Sequence, residues 1–285
     1  MIASPTSLGF SPEAQFRDRS QMAFLASLMR QGADRYILKG GMAMRALYGS
    51  ARLTKDVDFD CDDSISDQSL AKRLPKALEQ AARSAGIIDA NIERTKSGDQ
   101  ASKWRLAGQT RDHIAVTWEV ELSMRGIPDA RFLETRTIQP PYEYAIPPFV
   151  ARVYGEVATA AAKTNALLSD YRAVPRDVYD LVDLLRRGAS PVPLWTEYLS
   201  RENLERKRDA LLPKVTLIGF PLANAELLPY LPPDIRATIN EKTWADMQLE
   251  VVEGVTQWFG EAIPKAKPAK DMNRDPNTDY DLTWR

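Results

Sequence analysis

YILKGGMAMRALYGSARLTKDVDFD, from Tyr36 to Asp60, holds the pattern on which the fold turns. Arg35 to Lys39 is apolar and short, as a buried strand is, and Gly40-Gly41 breaks it. A helical pattern resumes from Met42 to Tyr48, Gly49-Ser50 turns the chain, and Leu53 to Cys61 alternates as a second strand. On that strand Val57, Phe59 and Cys61 point one way and Asp56, Asp58 and Asp60 the other. Same-face neighbours on a strand lie roughly 6.5–7 Å apart, so two carboxylates at that spacing converge on divalent ions between them. Without a cation such a row repels itself, and aspartate is depleted in strands. An edge strand with a solvated acidic face is the competing reading.

Ile114 to Ser123 is the strongest strand pattern in the chain. Ile114, Val116, Trp118, Val120 and Leu122 form one apolar face, while Glu119, Glu121 and Ser123 lie opposite. A strand so placed has a well-specified register. Beside the first acidic strand it would supply a third hard-oxygen ligand suited to magnesium, Glu121 by preference and Glu119 as the alternative. Either glutamate is otherwise an ordinary solvent-facing residue. Two glycines at a strand-to-helix turn let a phosphate chain approach the backbone, and helix-start N–H groups favour anions. The Gly-Gly turn precedes Asp56 by about 15 residues, room for one helix and a turn.

Outward from this unit, Ser11-Pro12 caps a helix running to about Arg30. Ser69 to Ala85 is helical beyond a polar loop, Asp62 to Asp67. Ala90 to Thr95, Lys103 to Leu106 and Arg136 to Ile138 are extended. From Pro147 the strand signal disappears. Phe149 to Leu168, Arg176 to Leu185, Leu194 to Leu211 and Thr243 to Phe259 are helical, with a proline-broken stretch between Leu212 and Pro233. The expected organisation is an α+β core over 1–147, a helical domain over 148–263, and a polar lysine- and proline-rich tail over 264–285, flexible or laid on the surface.

Composition bounds the chemistry. The chain has 285 residues, 44% hydrophobic and 27% charged, which describes a globular protein. A single cysteine and a single histidine exclude an internal disulfide and cysteine- or histidine-rich metal centres. No apolar run reaches membrane-span length and no secretion signal opens the chain, so a cytoplasmic protein without a membrane partner is expected. The net charge of −1 gives no bulk attraction to nucleic acid, so an RNA partner needs a local basic face. Arg172, Arg176, Arg186, Arg187, Arg201, Arg206, Lys207 and Arg208 are candidates for it, or else pair with neighbours such as Glu202 and Glu205.

The stretch from Tyr36 to Asp60 resembles the first motif of the AbiEii/AbiGii-type nucleotidyltransferase toxins, the group that includes the MenT toxins: LKGGTALR, then Tyr-Gly, then S/T-x-D-I/V-D-F. Ala162-Lys163, Arg172 and the run Arg176-Asp177-Val178-Tyr179-Asp180-Leu181 resemble the family's second half. The likeness covers roughly residues 35 to 187. It implies a polymerase-β-like nucleotidyltransferase core, a mixed sheet with flanking helices, followed by an α-helical C-terminal domain. It also implies a nucleoside triphosphate (NTP) substrate, magnesium (two ions), a tRNA 3′ end or other RNA acceptor, translation inhibition, and a cognate antitoxin. By the same resemblance Asp56, Asp58 and Glu121 are metal ligands, and Asp56, Asp58, Lys163 and Asp180 are catalytic. Lys39, Gly40, Gly41, Arg45, Arg176 and Asp177 then meet substrate. Met42 departs from the pattern, because the family carries threonine there and a hydroxyl at the turn is lost. Apart from the resemblance, Lys163 lies in an alanine-rich helix and must extend along the apolar surface or pair with a charge. Asp177, at a helix start, suits the helix dipole. Two rivals remain on the same core: a small-molecule (aminoglycoside-type) nucleotidyltransferase, and an inactive nucleotide- or partner-binding protein.

Overall fold

The computed structural model describes residues 2–32, 35–62, 65–98, 100–124, 130–170 and 172–269. The predicted tail falls largely outside them, as does part of the loop after Asp62. Ser11 accepts a hydrogen bond from the Ala14 N–H and Pro12 follows it, which starts α1 (Pro12–Met29) where the sequence predicts. Next come β1 (Tyr36–Lys39), α2 (Gly40–Leu47), β2 (Asp56–Cys61) and α3 (Asp67–Ala85), the last closed by Gly86 at φ +74°. Then follow β3 (Ile87–Gly98), β4 (Ala101–Thr110), β5 (Ala115–Ser123), β6 (Leu133–Ile138) and β7 (Phe149–Tyr154).

Seven strands make one mixed sheet in the order β3-β4-β5-β2-β1-β7-β6. β2 runs antiparallel to β1 and parallel to β5, which places the two acidic strands side by side at the middle of the sheet. Val57, Phe59 and Cys61 of β2 and Val116, Trp118, Val120 and Leu122 of β5 are buried in one apolar cluster with side chains of α1 and α3. Phe24 of α1 sets its ring edge-on to Trp118 at 5.3 Å and to Phe59 at 6.4 Å. With one face of each strand committed to this core, the acids are left to the other face.

The sequence predicts a helix from Phe149 to Leu168, but the chain forms β7 and then α4 (Glu156–Leu168), with Gly155 at the N-cap. Phe149, Ala151 and Val153 are buried at a period of two, and the strand pairs with both β1 and β6. Helices α5 (Pro175–Arg186), α6 (Val192–Tyr198), α7 (Arg201–Thr216), α8 (Phe220–Glu226), α9 (Pro233–Thr238) and α10 (Glu241–Ala262) complete the described chain. The single helix predicted over Leu194 to Leu211 is two, because Ser200 caps α7 by accepting from the Asn203 N–H.

Two compact units result: Met1–Tyr154 with Leu231–Pro233, and Gly155–Tyr230 with Asp234–Arg285, the latter described through residue 269. The predicted join at 147 thus lies one strand short of the observed one. In the second unit Trp195 stacks on Phe259 at 4.6 Å, and the Trp244 indole N–H donates to the Ile218 carbonyl at 2.8 Å. Gly254 of α10 lies against Leu185 of α5 where a Cβ would collide. Among the described residues no single helix is long and apolar enough to cross a membrane.

Candidate active site

The β2–β5 register pairs Asp56 with Glu119, Asp58 with Glu121 and Asp60 with Ser123. Paired residues on adjacent strands share a face at about 4.8 Å, closer than same-face neighbours along one strand. The same rows extend outward: Lys39 of β1 stands across from Asp58, and Lys103 and Arg105 of β4 stand across from Glu121 and Glu119. Four carboxylates of two strands therefore occupy two adjacent rows of one face, Asp56 and Asp58 half-buried and both glutamates likewise.

Asp60 plays a different part from its two neighbours. It is buried, and its two oxygens accept from the Lys39 ammonium at 2.6 Å and from the Tyr154 hydroxyl. Burial, reinforced by the Asp60 charge, pushes the Tyr154 phenol well above its ordinary range and keeps it a donor. Lys39, 6% exposed, is thus drawn to Asp60. Asp60 ties the end of β1, where the Gly-Gly turn begins, to the acidic strand.

Gly40 opens α2 at φ +68°, a conformation that favours glycine, and a Cβ there would collide with the Asp58 carboxylate. At Gly41 a Cβ would lie 2.8 Å from Thr54 Oγ1 and 2.9 Å from Arg52 Nη2. The turn is packed on both sides with no room for side chains. Lys39, the N-cap of α2, makes no side-chain cap hydrogen bond, and helix-start N–H groups favour anions. Arg52 and Thr54, which sequence reasoning passed over, are buried beneath the turn; only their place just before Asp56 hinted at it. Met42 is fully buried in the apolar cluster. The expected contact of Arg45 with substrate gives way to a buried ion pair. Its guanidinium is fully enclosed and donates to both Asp18 oxygens, at 3.2 and 3.1 Å, and to the Ala3 carbonyl.

Among the described residues no three histidine, cysteine, aspartate or glutamate side chains lie grouped so as to hold a metal ion in their present rotamers. The acid face nonetheless holds a cation of the protein's own. The Lys103 ammonium sits 2.9 Å from Glu121 Oε2 and 3.8 Å from Glu119 Oε2. Its hydrogen bond to Glu121, with the charges of Glu121, Glu119 and Asp56, holds its pKa above the usual lysine range against partial burial. A face that gathers an ammonium among three carboxylates has the charge and the hard oxygen donors that magnesium takes. Asp56, Asp58 and Glu121 lie on that face and match such an ion in donor chemistry, with Glu121 paired to Lys103.

In the second unit, Lys163 of α4 pairs with Asp180 Oδ2 at 2.6 Å and with Asp177 Oδ1 at 3.4 Å. Both aspartates are fully buried, one turn apart on α5, and Arg172 Nε reaches the other Asp177 oxygen at 2.8 Å. The alanine-rich helix thus carries a paired lysine rather than one extended along the surface. Asp177 lies in the first turn of α5, as the dipole reading expects, and is a charge partner besides. Arg176 is half-buried on the same helix. Of the arginines expected to form a basic face, Arg186 pairs with Glu250 through two bonds, Arg187 with Asp183 and Arg208 with Asp209.

Residues 23–269 match the family model described as nucleotidyl transferase AbiEii toxin of type IV toxin–antitoxin systems. No curated protein matches the chain significantly. Among solved structures, JHP933 from Helicobacter pylori is similar at TM-score 0.59 and 19% identity, over 90% of this chain and 96% of that one. A second H. pylori structure has TM-score 0.56 and 18% identity, over 90% and 98% respectively. MenT4, a nucleotidyltransferase toxin from Mycobacterium tuberculosis H37Rv, has TM-score 0.47 and 16% identity, over 96% and 89%. The first two establish a shared fold.

Proposed function

This chain belongs to the AbiEii family of nucleotidyl transferase toxins of type IV toxin–antitoxin systems, and from that premise we propose that it transfers a nucleotide from an NTP to an RNA acceptor. The acceptor we propose is the 3′ end of tRNA, in the cytoplasm, so that translation stops until a cognate antitoxin intervenes. The observation that carries this is the pairing of Asp58 with Glu121 on one face, with the Gly40 backbone pressed against the Asp58 carboxylate.

In the proposed reaction the acceptor hydroxyl attacks the α-phosphorus in line. The new phosphodiester bond forms as the bond to pyrophosphate breaks. Asp56, Asp58 and Glu121, with Glu119 as the alternative third acid, would hold one or two magnesium ions. Magnesium bound there would offset phosphate charge and lower the pKa of the attacking hydroxyl. Gly40 and Gly41 present backbone to the phosphates, and Lys39 and Asp60 brace that turn. By the family resemblance Lys163 of the second unit would offer a point charge to phosphate, a role its rotatable donors suit. Asp180 and Asp177 orient it, and Arg176 adds a further substrate contact.

The test is incubation of the protein with each labelled NTP, magnesium and total RNA. Label in the tRNA fraction, abolished by chelation, is the expected outcome; absence of labelled RNA with every NTP contradicts it. The second reading, a small-molecule acceptor, draws support from the net charge of −1 and from the arginines already paired. Label on an aminoalcohol instead of RNA would select it.

A further inference from the structure

The two glutamates on the acid face are held differently. Glu119 is gripped by the Arg105 fork, through Nε at 2.9 Å and Nη2 at 2.7 Å, and the same guanidinium also reaches Glu93 at 3.1 Å. Glu121 meets the Lys103 ammonium at 2.9 Å. A guanidinium fork fixes its partner, whereas an ammonium on a four-carbon stem swings away readily. The Lys103 side chain is a third exposed, so it has solvent to swing into.

Glu121, and not Glu119, is the acid directly across from Asp58. A magnesium ion takes carboxylate oxygens at about 2.1 Å. A cation bound by Glu121 and an ammonium on its Oε2 share one carboxylate and repel each other.

We infer that Lys103 is the built-in counter-ion of the acid face, holding Glu121 until a divalent cation displaces it and thereby setting the cation affinity of the site. The inference rests on the proposed reading of Asp56, Asp58 and Glu121 as cation ligands. Two effects follow from its chemistry. Removing the ammonium frees Glu121 for the cation, because an occupied ligand lowers apparent affinity by the fraction of time it is engaged. It also leaves Glu121 beside Asp58 and Glu119 without its ammonium partner, which lowers the stability of the cation-free protein.

The experiment titrates Mn2+ alone into wild type, Lys103→Met, Lys103→Arg and Asp58→Asn, reading bound metal by loss of the free-ion electron paramagnetic resonance signal. Thermal unfolding is followed in parallel with chelator and with Mn2+. Lys103→Met is expected to bind Mn2+ about three- to tenfold more tightly than wild type. It should unfold at lower temperature in chelator and gain more from Mn2+. Lys103→Arg, which keeps the charge and grips harder, is expected to bind Mn2+ more weakly than wild type. Equal or weaker binding by Lys103→Met, with binding abolished in Asp58→Asn, overturns the inference and leaves the cation site standing. Mn2+ binding no greater in wild type and Lys103→Met than in Asp58→Asn removes the cation site and the inference together.

Discussion

Gly40 has a left-handed backbone and a carboxylate where a Cβ would go, whereas Gly49, at φ +66°, faces open space. The pair separates backbone strain from site geometry. Gly49→Ala should cost about 1–2 kcal/mol in urea unfolding, the left-handed penalty alone. Gly40→Ala should cost about 1–3 kcal/mol more and lose nucleotide transfer, because Asp58 must move. Equal losses of stability, with transfer intact in Gly40→Ala, would place no demand on that contact. Lys163 is a different case. Lys163→Ala leaves Asp177 with Arg172 but strips the ammonium from buried Asp180, so a stability loss of about 3–5 kcal/mol is expected besides weaker NTP binding. Calorimetry with a non-hydrolysable triphosphate at a temperature where the variant is folded measures the second effect, and unchanged affinity would make the lysine purely structural. Cys61 reports on the core beneath the acids. Burial first, then the Asp60 charge, push its thiol from 9.0 to about 12. The folded state keeps the proton that the unfolded chain releases, so this contribution to stability is full below pH 9 and falls as pH rises toward 12. Native protein at pH 8 should therefore resist a disulfide reagent that labels the urea-unfolded chain at once.

β2 and β5 were legible in the sequence because each commits one face to the core at a period of two. What alternation cannot supply is which strands are neighbours, since parallel pairing of β2 with β5 joins distant segments. That pairing brings Glu121 to Asp58, and β4 brings Lys103 to Glu121. Lys103 itself was legible only as one polar position on a short strand, and Tyr154 not at all as the partner of Asp60. β7 was misread because Phe149 to Tyr154 runs into an alanine-rich helix, with Gly155 as the sole punctuation between them. Arg45 shows the opposite error: a motif position taken for a substrate contact proves to be a core ion pair with Asp18. The register depends on the apolar face beneath it, where Phe24 of α1 keys against Phe59 and Trp118. Phe24→Ala should lower stability by about 3–5 kcal/mol. Below its unfolding transition, transfer by that variant should fall only in proportion to the folded fraction. A larger fall would mean that the strands themselves shift.

For the whole molecule, the proposed RNA acceptor requires a local basic face on a chain of net charge −1. Composition made that difficulty legible. The Arg187–Asp183 and Arg208–Asp209 pairs lie within local reach, but the Arg186 pair depends on helix packing that no local pattern reveals. Arg186 meets Glu250 of α10, far along the chain, whereas Arg187 and Asp183 are one helical turn apart. If α7 supplies part of an RNA surface, Arg206→Glu with Arg208→Glu should reduce the salt slope of tRNA binding by about 0.7–0.9 per lost contact. Identical slopes would remove α7 from the interface. The central claim, that the paired acids of β2 and β5 perform nucleotide transfer, is tested most directly by Asp56→Ala and Asp58→Ala. Each is assayed with labelled NTP, RNA and excess magnesium after its folding is verified by thermal unfolding. The account predicts that both variants unfold at or slightly above the wild-type temperature, relieved of one repelling charge, and transfer no label. Folded variants that both still label RNA would contradict it.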